Sequence, residues 1–334
     1  MRLKNTLLLT VLAVLVFSGL VGCGGGTKVI GNTPRPVNPP CNCVIPSRIM
    51  VNSELSAGNP TSGTLVTGEV GREIARFKFT NTGTDATSIT EMRLAMTGTI
   101  NKTYLFDAAT GEMINWAPAG SGRSTAIFWG VSGLAISESK EISVRVDVGN
   151  QGGMIVQAEL LTFKTSDDIN TIANLSGNLF TTATATLASA TFGSVTPSGG
   201  SVPRGGAQVV TIWSSNLTVQ GRNASLRRLN LRQIGSAQLS NLSNFRLYTN
   251  GVNIGQSGVV YGNTVVFTIP TATAIASGST KDITVKADIS VTASGTINLS
   301  LEQPADIDLV DTGFNVGIGV TQTPVRPASP VTIQ

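Results

Sequence analysis

The side chains best able to do chemistry in this chain are its three cysteines, Cys23, Cys41 and Cys43, because the 334 residues contain no histidine. Without an imidazole, a Ser-His-Asp or Cys-His relay, a histidine-ligated zinc or haem and a histidine pH switch are all excluded. The Asp and Glu residues follow no pattern that marks a glycosidase pair. The sequence therefore predicts neither an enzyme activity nor a cofactor.

Cys23 follows a basic segment, Met1–Asn5, and an apolar run from Leu7 to Phe17. This order is typical of a secretory signal peptide, which we place at residues 1–22. The alternative is a retained membrane helix with Cys23 as an ordinary thiol. A spanning helix needs about 20 apolar residues, and here serine and glycines interrupt the run.

The residues Leu20, Val21 and Gly22 immediately precede Cys23. This arrangement resembles the lipobox of bacterial lipoproteins. The resemblance implies that Leu20 to Gly22 are read by the signal peptidase, that the chain is cut before Cys23, and that the cysteine sulfur carries a diacylglyceryl group. It also implies a protein secreted and lipid-anchored on the extracytoplasmic side of a bacterial membrane, at the outer membrane or cell surface. The membrane is then its first partner.

Residues 23–46 are rich in glycine and proline and contain few apolar side chains. Such a composition cannot pack a core, so we expect a disordered tether behind the lipid anchor. Cys41 and Cys43 lie in this tether. In an oxidising compartment they could form a small disulfide, bridge to another chain, or remain thiols.

The charge balance excludes some partners. The chain has 23 basic and 19 acidic residues. Loss of the signal removes Arg2 and Lys4, which leaves 21 against 19, a net charge of about +2. No run of Lys or Arg accompanies it, so we expect no nucleic-acid partner.

From Arg48 onward, apolar and polar residues alternate in short runs separated by Gly, Asn and Pro, and no helix is predicted. Alternation with period two predicts strands with one buried and one solvated face. Many short strands at this spacing favour a β-sandwich. The predicted strands are Ile74–Phe79, Glu141–Val148, Ile155–Phe163, Val209–Val219, Val265–Ile269, Asp282–Ile289 and Thr296–Leu301. The segment Thr181–Ala190 also alternates, and we expect a stiff connection there.

An internal repeat organises these strands. Pro60 corresponds to Pro197 at an offset of 137 residues, and the run Lys140–Val148 corresponds to Lys281–Ile289 at an offset of 141. The change in offset indicates small loop insertions. The repeat predicts two copies of one module, at residues 47–186 and 187–334, each large enough for its own core.

The first module resembles the immunoglobulin-like modules of bacterial surface proteins, in particular the cell-adhesion-related type. The residues that carry this resemblance are Phe79–Ala86 with its Asn-Thr-Gly turn, Ile136–Lys140, and the Gly152-Gly153 pair. In the second module Val219–Arg222 replaces the first turn. The resemblance implies an all-β protein with two tandem immunoglobulin-like β-sandwiches and a role in spacing or adhesion. It carries no catalytic residues.

Two candidate sites follow from residue types. Asp147 and Asp288 hold equivalent repeat positions, as do Asp168 and Asp306. Asp167 and Asp168, together with Asp306 and Asp308, could contribute oxygen ligands for calcium. The chain lacks the dense loop of alternating oxygen ligands that calcium prefers, so turn capping or a solvated surface is the favoured interpretation. Trp116, in a predicted loop, could stack on a sugar or a partner. Trp129 and Trp213 adjoin predicted strands, and we expect both to be buried.

These observations support a membrane-anchored, surface-exposed lipoprotein with a structural, adhesive or binding role. Its expected partners are other envelope proteins, glycans or copies of itself. Two alternatives stay open: a pilin-like subunit that polymerises by strand exchange through Val316–Gln334, and a carbohydrate-binding protein that uses Trp116.

Overall fold

The computed structural model describes residues 50–118, 121–167, 170–205, 209–254 and 257–334. Leu20, Val21, Gly22, Cys23, Cys41 and Cys43 lie outside these ranges, as does Asp168. The helices within the described ranges are two single-turn 3-10 helices, Leu239–Asn241 and Pro304–Asp306. Among the described residues, no helix has the length and apolar character needed to cross a membrane.

Within the described ranges, ten strands form the first sandwich. They are β1 Val51–Leu55, β2 Gly63–Val66, β3 Arg72–Asn81, β4 Thr87–Asp107, β5 Met113–Pro118, β6 Ser121–Leu134, β7 Ser139–Val148, β8 Ile155–Thr165, β9 Asn170–Ser176 and β10 Phe180–Ala183.

In the second sandwich, the described residues form fourteen strands. They are β11 Ser189–Phe192, β12 Ser201–Val202, β13 Val210–Gln220, β14 Ala224–Gln233, β15 Leu242–Thr249, β16 Val252–Asn253, β17 Val259–Tyr261, β18 Thr264–Ile275, β19 Thr280–Ile289, β20 Thr296–Ile297, β21 Leu299–Ser300, β22 Ile307–Asp311, β23 Val316–Ile318 and β24 Val331–Ile333.

The long strand β4 belongs to both sheets of the first sandwich. Its first half pairs with β6 and β8, and its second half pairs with β5 and β7. The chain changes sheets at Gly98, whose φ is +108°. A Cβ on this residue would collide with the carbonyl oxygen of Ile155. Glycine is therefore required where the strand bends.

The second sandwich repeats this strand order. The sheet β1-β3-β7-β4-β5 has its counterpart in β11-β13-β19-β15-β16. In the second sandwich the two halves of this long strand are separate strands, β14 and β15, because the 3-10 helix Leu239–Asn241 lies between them. Each sandwich has its own buried apolar cluster, built around Phe77, Phe128 and Phe163 in the first and around Trp213, Phe245 and Phe267 in the second.

The predicted fold class, all-β with two tandem β-sandwiches, is confirmed. Two local predictions were wrong. Thr296–Leu301 is divided into β20 and β21, because the segment passes from a pairing with β24 to a pairing with β14. Thr181–Ala190 is no continuous strand, since β10 and β11 are separated by residues 184–188.

The Asn-Thr-Gly turn that follows β3 is held by its first residue. The Asn81 side chain is fully buried, and its Nδ2 donates to the carbonyl oxygens of Asp85 and Ala135 at 2.8 and 3.1 Å. Its Oδ1 accepts the backbone N–H of Gly83 at 2.9 Å. A buried amide with every group paired stabilises the turn.

The two sandwiches are joined through a further buried cluster of four residues. Tyr104, Phe106 and Met113 come from the first sandwich and Ala305 from the second. The backbone N–H of Val70 donates to the carbonyl oxygen of Gly317 at 2.9 Å. We call this contact region the junction.

At the junction, the face of β7 that was predicted to be solvated is partly buried. Alternation predicted a solvated face through Ser143, Arg145 and Asp147, yet Ser143 and Asp147 are buried. The equivalent residue in the second sandwich, Asp288, is half-buried. Asp147 and Asp288 thus differ because only Asp147 lies at the junction, whereas Thr284, the equivalent of Ser143, is buried as Ser143 is.

Candidate functional site

Strand β6 is an edge strand that carries apolar side chains on both faces. The strand order on this side of the sandwich is β6-β4-β8-β9. The outer edge of β6 therefore has no neighbouring strand among the described residues. Ala126 and Phe128 point into the core and are buried. The alternate residues, Ile127 and Trp129, point outward with 39% and 60% of their surface exposed. An exposed tryptophan on a sheet face is unusual enough to mark a contact surface.

The register of the sheet places further residues on the same face. Ile127 pairs with Arg93 of β4, Arg93 with Thr162 of β8, and Thr162 with Ile172 of β9. In-register partners lie on the same face of a sheet. Ile172 is 70% exposed, the most exposed large apolar side chain of the described residues. We call the set Ile127, Trp129, Arg93 and Ile172 the outer face.

The outer face is held in place by a buried acid. Glu91, the register partner of Trp129, is almost fully buried and forms an ion pair with the Nε of Arg93. The carbonyl oxygen of Trp129 accepts the Nδ2 hydrogen of Asn115 at 3.0 Å. These contacts fix Arg93 and the backbone of Trp129 before any partner arrives, which lowers the entropy lost on binding.

Trp116 belongs to a different strand pair from the outer face, that of β5 with the second half of β4. It is in strand β5, not in a loop as predicted, because it pairs with Tyr104 of β4. Its side chain is 42% exposed, and the Nζ of Lys102 is 5.2 Å from the ring centroid. Lys102 also donates to the Oε1 of Gln303 in the second sandwich at 3.0 Å. Trp116 therefore borders the junction, and the structure does not bring it onto the outer face.

The sequence predicted burial for both of the other tryptophans, and the structure buries only one of them. Trp213 is fully buried as expected, in edge-to-face contact with Phe192 at 5.7 Å between centroids. The expectation that Trp129 is buried was wrong, because strand alternation gives the inward position to Phe128. The run from Ala126 to Trp129 is apolar on both faces of an edge strand, and this signal could have identified the exposed pair.

The candidate acidic ligands are mostly engaged by the protein itself. The carboxylate of Asp306 accepts the backbone N–H groups of Glu302 and Gln303 at 3.0 and 2.8 Å, which caps the 3-10 helix that begins at Pro304. Burial nevertheless raises the pKa of Asp306 to about 6. Within the described ranges, no three acidic or cysteine side chains come together as a metal site.

No family profile matches the chain, and no curated protein matches it. Solved structures that it resembles include the type II cohesin dyad from the adaptor ScaA scaffoldin of Acetivibrio cellulolyticus. The identity is 10%, 80% of this chain and 99% of that chain are covered, and the TM-score is 0.28. A putative membrane anchored protein from Corynebacterium diphtheriae has 11% identity, a TM-score of 0.21, and coverage of 85% of this chain and 58% of its own.

A third similar structure is a serine-rich repeat protein from Streptococcus agalactiae, with 10% identity, coverage of 81% of this chain and 90% of that chain, and a TM-score of 0.18. These TM-scores carry no argument about function. The assignment of the fold rests on the strand pairing described above.

Proposed function

We propose that the chain is a membrane-anchored, surface-exposed bacterial lipoprotein that binds another protein through its outer face. The observation that carries this proposal is the exposure of Trp129 beside Ile127, Arg93 and Ile172 on one sheet. Trp and Arg are the residue types most often found at the energetic centres of protein interfaces. A surface of this kind, fixed in the unbound state, has an adhesive or structural role at the cell surface.

The shape of the outer face favours a protein over a small ligand or a sugar. Sites for small molecules are concave, whereas protein interfaces are commonly flat and bury about 800 Å² on each partner. The outer face is one side of a four-stranded sheet. Two aliphatic side chains with a tryptophan and an arginine supply the apolar and cationic contacts that such an interface needs.

Strand exchange through the C-terminal segment is a weaker candidate. Part of that segment, β24, pairs in parallel with β12 and antiparallel with β20 of its own sandwich. Val331 and Ile333 are buried there. A donor strand for a neighbouring molecule would first have to leave this position, at the cost of its own core contacts.

The lipid anchor in this proposal is inferred from the sequence Leu20 to Cys23. Cys23→Ser, which removes the acylated sulfur, should release the protein from membranes. The measurement is the fraction that stays with membranes after a high-salt wash, compared with Cys41→Ser as a matched loss of one thiol. Retention of the Cys23→Ser protein would contradict lipid anchoring.

The binding role is tested by chemical crosslinking on intact cells, followed by identification of the captured species. The double variant Ile127→Ser, Trp129→Ser should lose the crosslinked species. The control is Val252→Ser, Val259→Ser, which removes two exposed apolar side chains of the second sandwich and should keep it. The same species captured by all three proteins would contradict the proposal, and a captured glycan would overturn the choice of a protein partner.

A further inference from the structure

Two arginines, one from each sandwich, lie against the same aromatic ring at the junction. The Cζ of Arg145, in β7, is 4.5 Å from the ring centroid of Phe106, and the Cζ of Arg228, in β14, is 5.4 Å from it. Phe106 is fully buried. One guanidinium over an aromatic face is attracted by the negative face of the ring. Two like charges at one ring also repel each other, so the ring alone does not compensate them.

The two guanidinium groups have few partners. Within the described ranges, neither forms an ion pair with a carboxylate at 4 Å or less. The Nε of Arg145 donates to the Oγ of Ser143 over a long 3.4 Å. The Nε of Arg228 is buried and has no hydrogen-bond partner among the described residues. A buried donor left unpaired destabilises the folded protein, because it has lost its hydrogen bonds to water.

Nearby carboxylates are already engaged. Glu73 is bound by Arg76, whose Nε and Nη2 donate to its two oxygens at 2.7 and 3.0 Å. Glu69 accepts the backbone N–H of Val66 at 3.1 Å and lies 3.6 Å from Arg72. Asp308 is the cross-strand partner of Arg228 but lies beyond ion-pair distance. Among the described residues, therefore, no carboxylate forms an ion pair with either arginine, and Asp308 acts on both of them only at longer range.

The guanidinium groups border open space. Two adjoining cavities of about 330 and 480 Å³ are both lined by Arg145, Arg227, Arg228 and Asp308. Arg227 donates to the Oδ1 of Asn315 at 2.9 Å. Either cavity has room for a sulfate, a phosphate or a carboxylate group.

The pKa values of both arginines are lowered, as expected for buried guanidinium groups without a paired carboxylate. Burial and, as a smaller cause, the charge of Arg228 together lower the pKa of Arg145 to about 10. Burial also lowers the pKa of Arg228, although the charges of Asp308 and Asp306 oppose the shift. An anion between the two groups would remove this penalty.

We propose that the junction binds an oxyanion, as a sulfate, phosphate or carboxylate group, between the guanidinium groups of Arg145 and Arg228. The planar fork of a guanidinium matches two oxygens of such a group at once. Because Arg145 belongs to the first sandwich and Arg228 to the second, the bound anion stabilises the contact between them.

The test is isothermal titration of the full chain with sodium sulfate, sodium phosphate and sodium acetate at constant ionic strength. The wild-type protein should bind at least one of these anions saturably with one site per chain. Arg145→Gln and Arg228→Gln should weaken its binding at least tenfold. Arg123→Gln removes an exposed arginine outside the junction and should bind as the wild type does. Sulfate and phosphate are tetrahedral and the carboxylate of acetate is planar, so the anion that binds shows which kind of group the junction accepts.

A conservative variant separates a loss of binding from a loss of folding. Arg228→Lys keeps the charge and the apolar stem but loses the fork, so it should fold and bind at least tenfold more weakly. Unchanged binding by Arg228→Lys or Arg228→Gln would overturn the proposal. Absence of saturable binding to all three anions by the wild-type protein would overturn it as well.

Discussion

Tyr104 donates its hydroxyl hydrogen to the Oδ2 of Asp147 over 2.5 Å, and both side chains are buried at the junction. The Oδ1 of Asp147 accepts the backbone N–H of Gly71 at 3.0 Å. Burial raises the pKa of Asp147 to about 6, and these two hydrogen bonds oppose the rise. The pair shows that a face of the first sandwich has become an interior surface.

Tyr104→Phe should destabilise the protein, because it removes the hydroxyl donor and leaves the Asp147 carboxyl buried with one partner fewer. We expect the free energy of unfolding to fall by about 1–3 kcal/mol. Urea denaturation measures this change. Tyr261→Phe, a half-buried tyrosine of β17, is the control and should cost less than about 0.5 kcal/mol. Equal losses in the two variants would contradict the assignment of the Tyr104 hydroxyl.

The stability of the protein should fall as the pH rises from about 4 to 7. The pKa values of Asp147 and Asp306 are about 6 in the folded state, above the ordinary 3.8. Both carboxyls therefore bind protons more strongly when folded. Their contribution is complete below the unfolded pKa and is lost as the pH rises through 6. Each contributes at most about 3 kcal/mol.

Urea denaturation at pH 4.5, 5.5, 7 and 8 checks this pH dependence. Asp306→Asn keeps a side chain that can accept hydrogen bonds but cannot titrate, so it should flatten the slope between pH 4.5 and 7. Stability that increases with pH over this range in the wild-type protein would show that the two carboxyls do not behave as described.

Gly317→Ala should separate the sandwiches. A Cβ at Gly317 would collide with the carbonyl oxygen of Val70, whose N–H is bonded to the carbonyl oxygen of Gly317. Calorimetry should then resolve two unfolding transitions, and proteinase K should cut between β10 and β11. Gly133→Ala is the matched control, because nothing lies within 4 Å of its added Cβ. A Gly317→Ala protein that unfolds and resists protease like the control would argue against a tight junction.

Strand positions could be predicted because alternation is a local property of the chain. Lys140–Val148 and Lys281–Ile289 both form strands, as their shared pattern indicated. What covers the second face of a strand depends on distant residues. Nothing in the sequence near Asp147 shows that Ala305 and its neighbours in the second sandwich bury that face.

The tryptophans should differ in solvent access. Single-tryptophan proteins that keep only Trp213 should emit at short wavelength and resist acrylamide quenching, because Trp213 is fully buried. Proteins that keep only Trp129 should emit at longer wavelength and be quenched readily, since 60% of this side chain is exposed. Similar quenching constants for the two would contradict the positions assigned to them.

The candidate site was only partly accessible from the sequence. Trp116 was singled out because it lacks an aromatic counterpart in the second module, and it is indeed half-exposed. The outer face was missed because Ile127, Arg93 and Ile172 come together through the register of three different strand pairs. Register depends on pairing across the sheet, which no local pattern contains.

Site-specific photocrosslinking on intact cells tests whether the outer face binds a protein. A photoreactive amino acid replaces Trp129 in one protein and Val252, which is equally exposed, in another. We predict a discrete crosslinked protein from position 129 that is absent from position 252 and is lost when Ile172→Ser is added. No crosslinked protein at position 129, or the same product from both positions, would show that the outer face does not bind a specific protein.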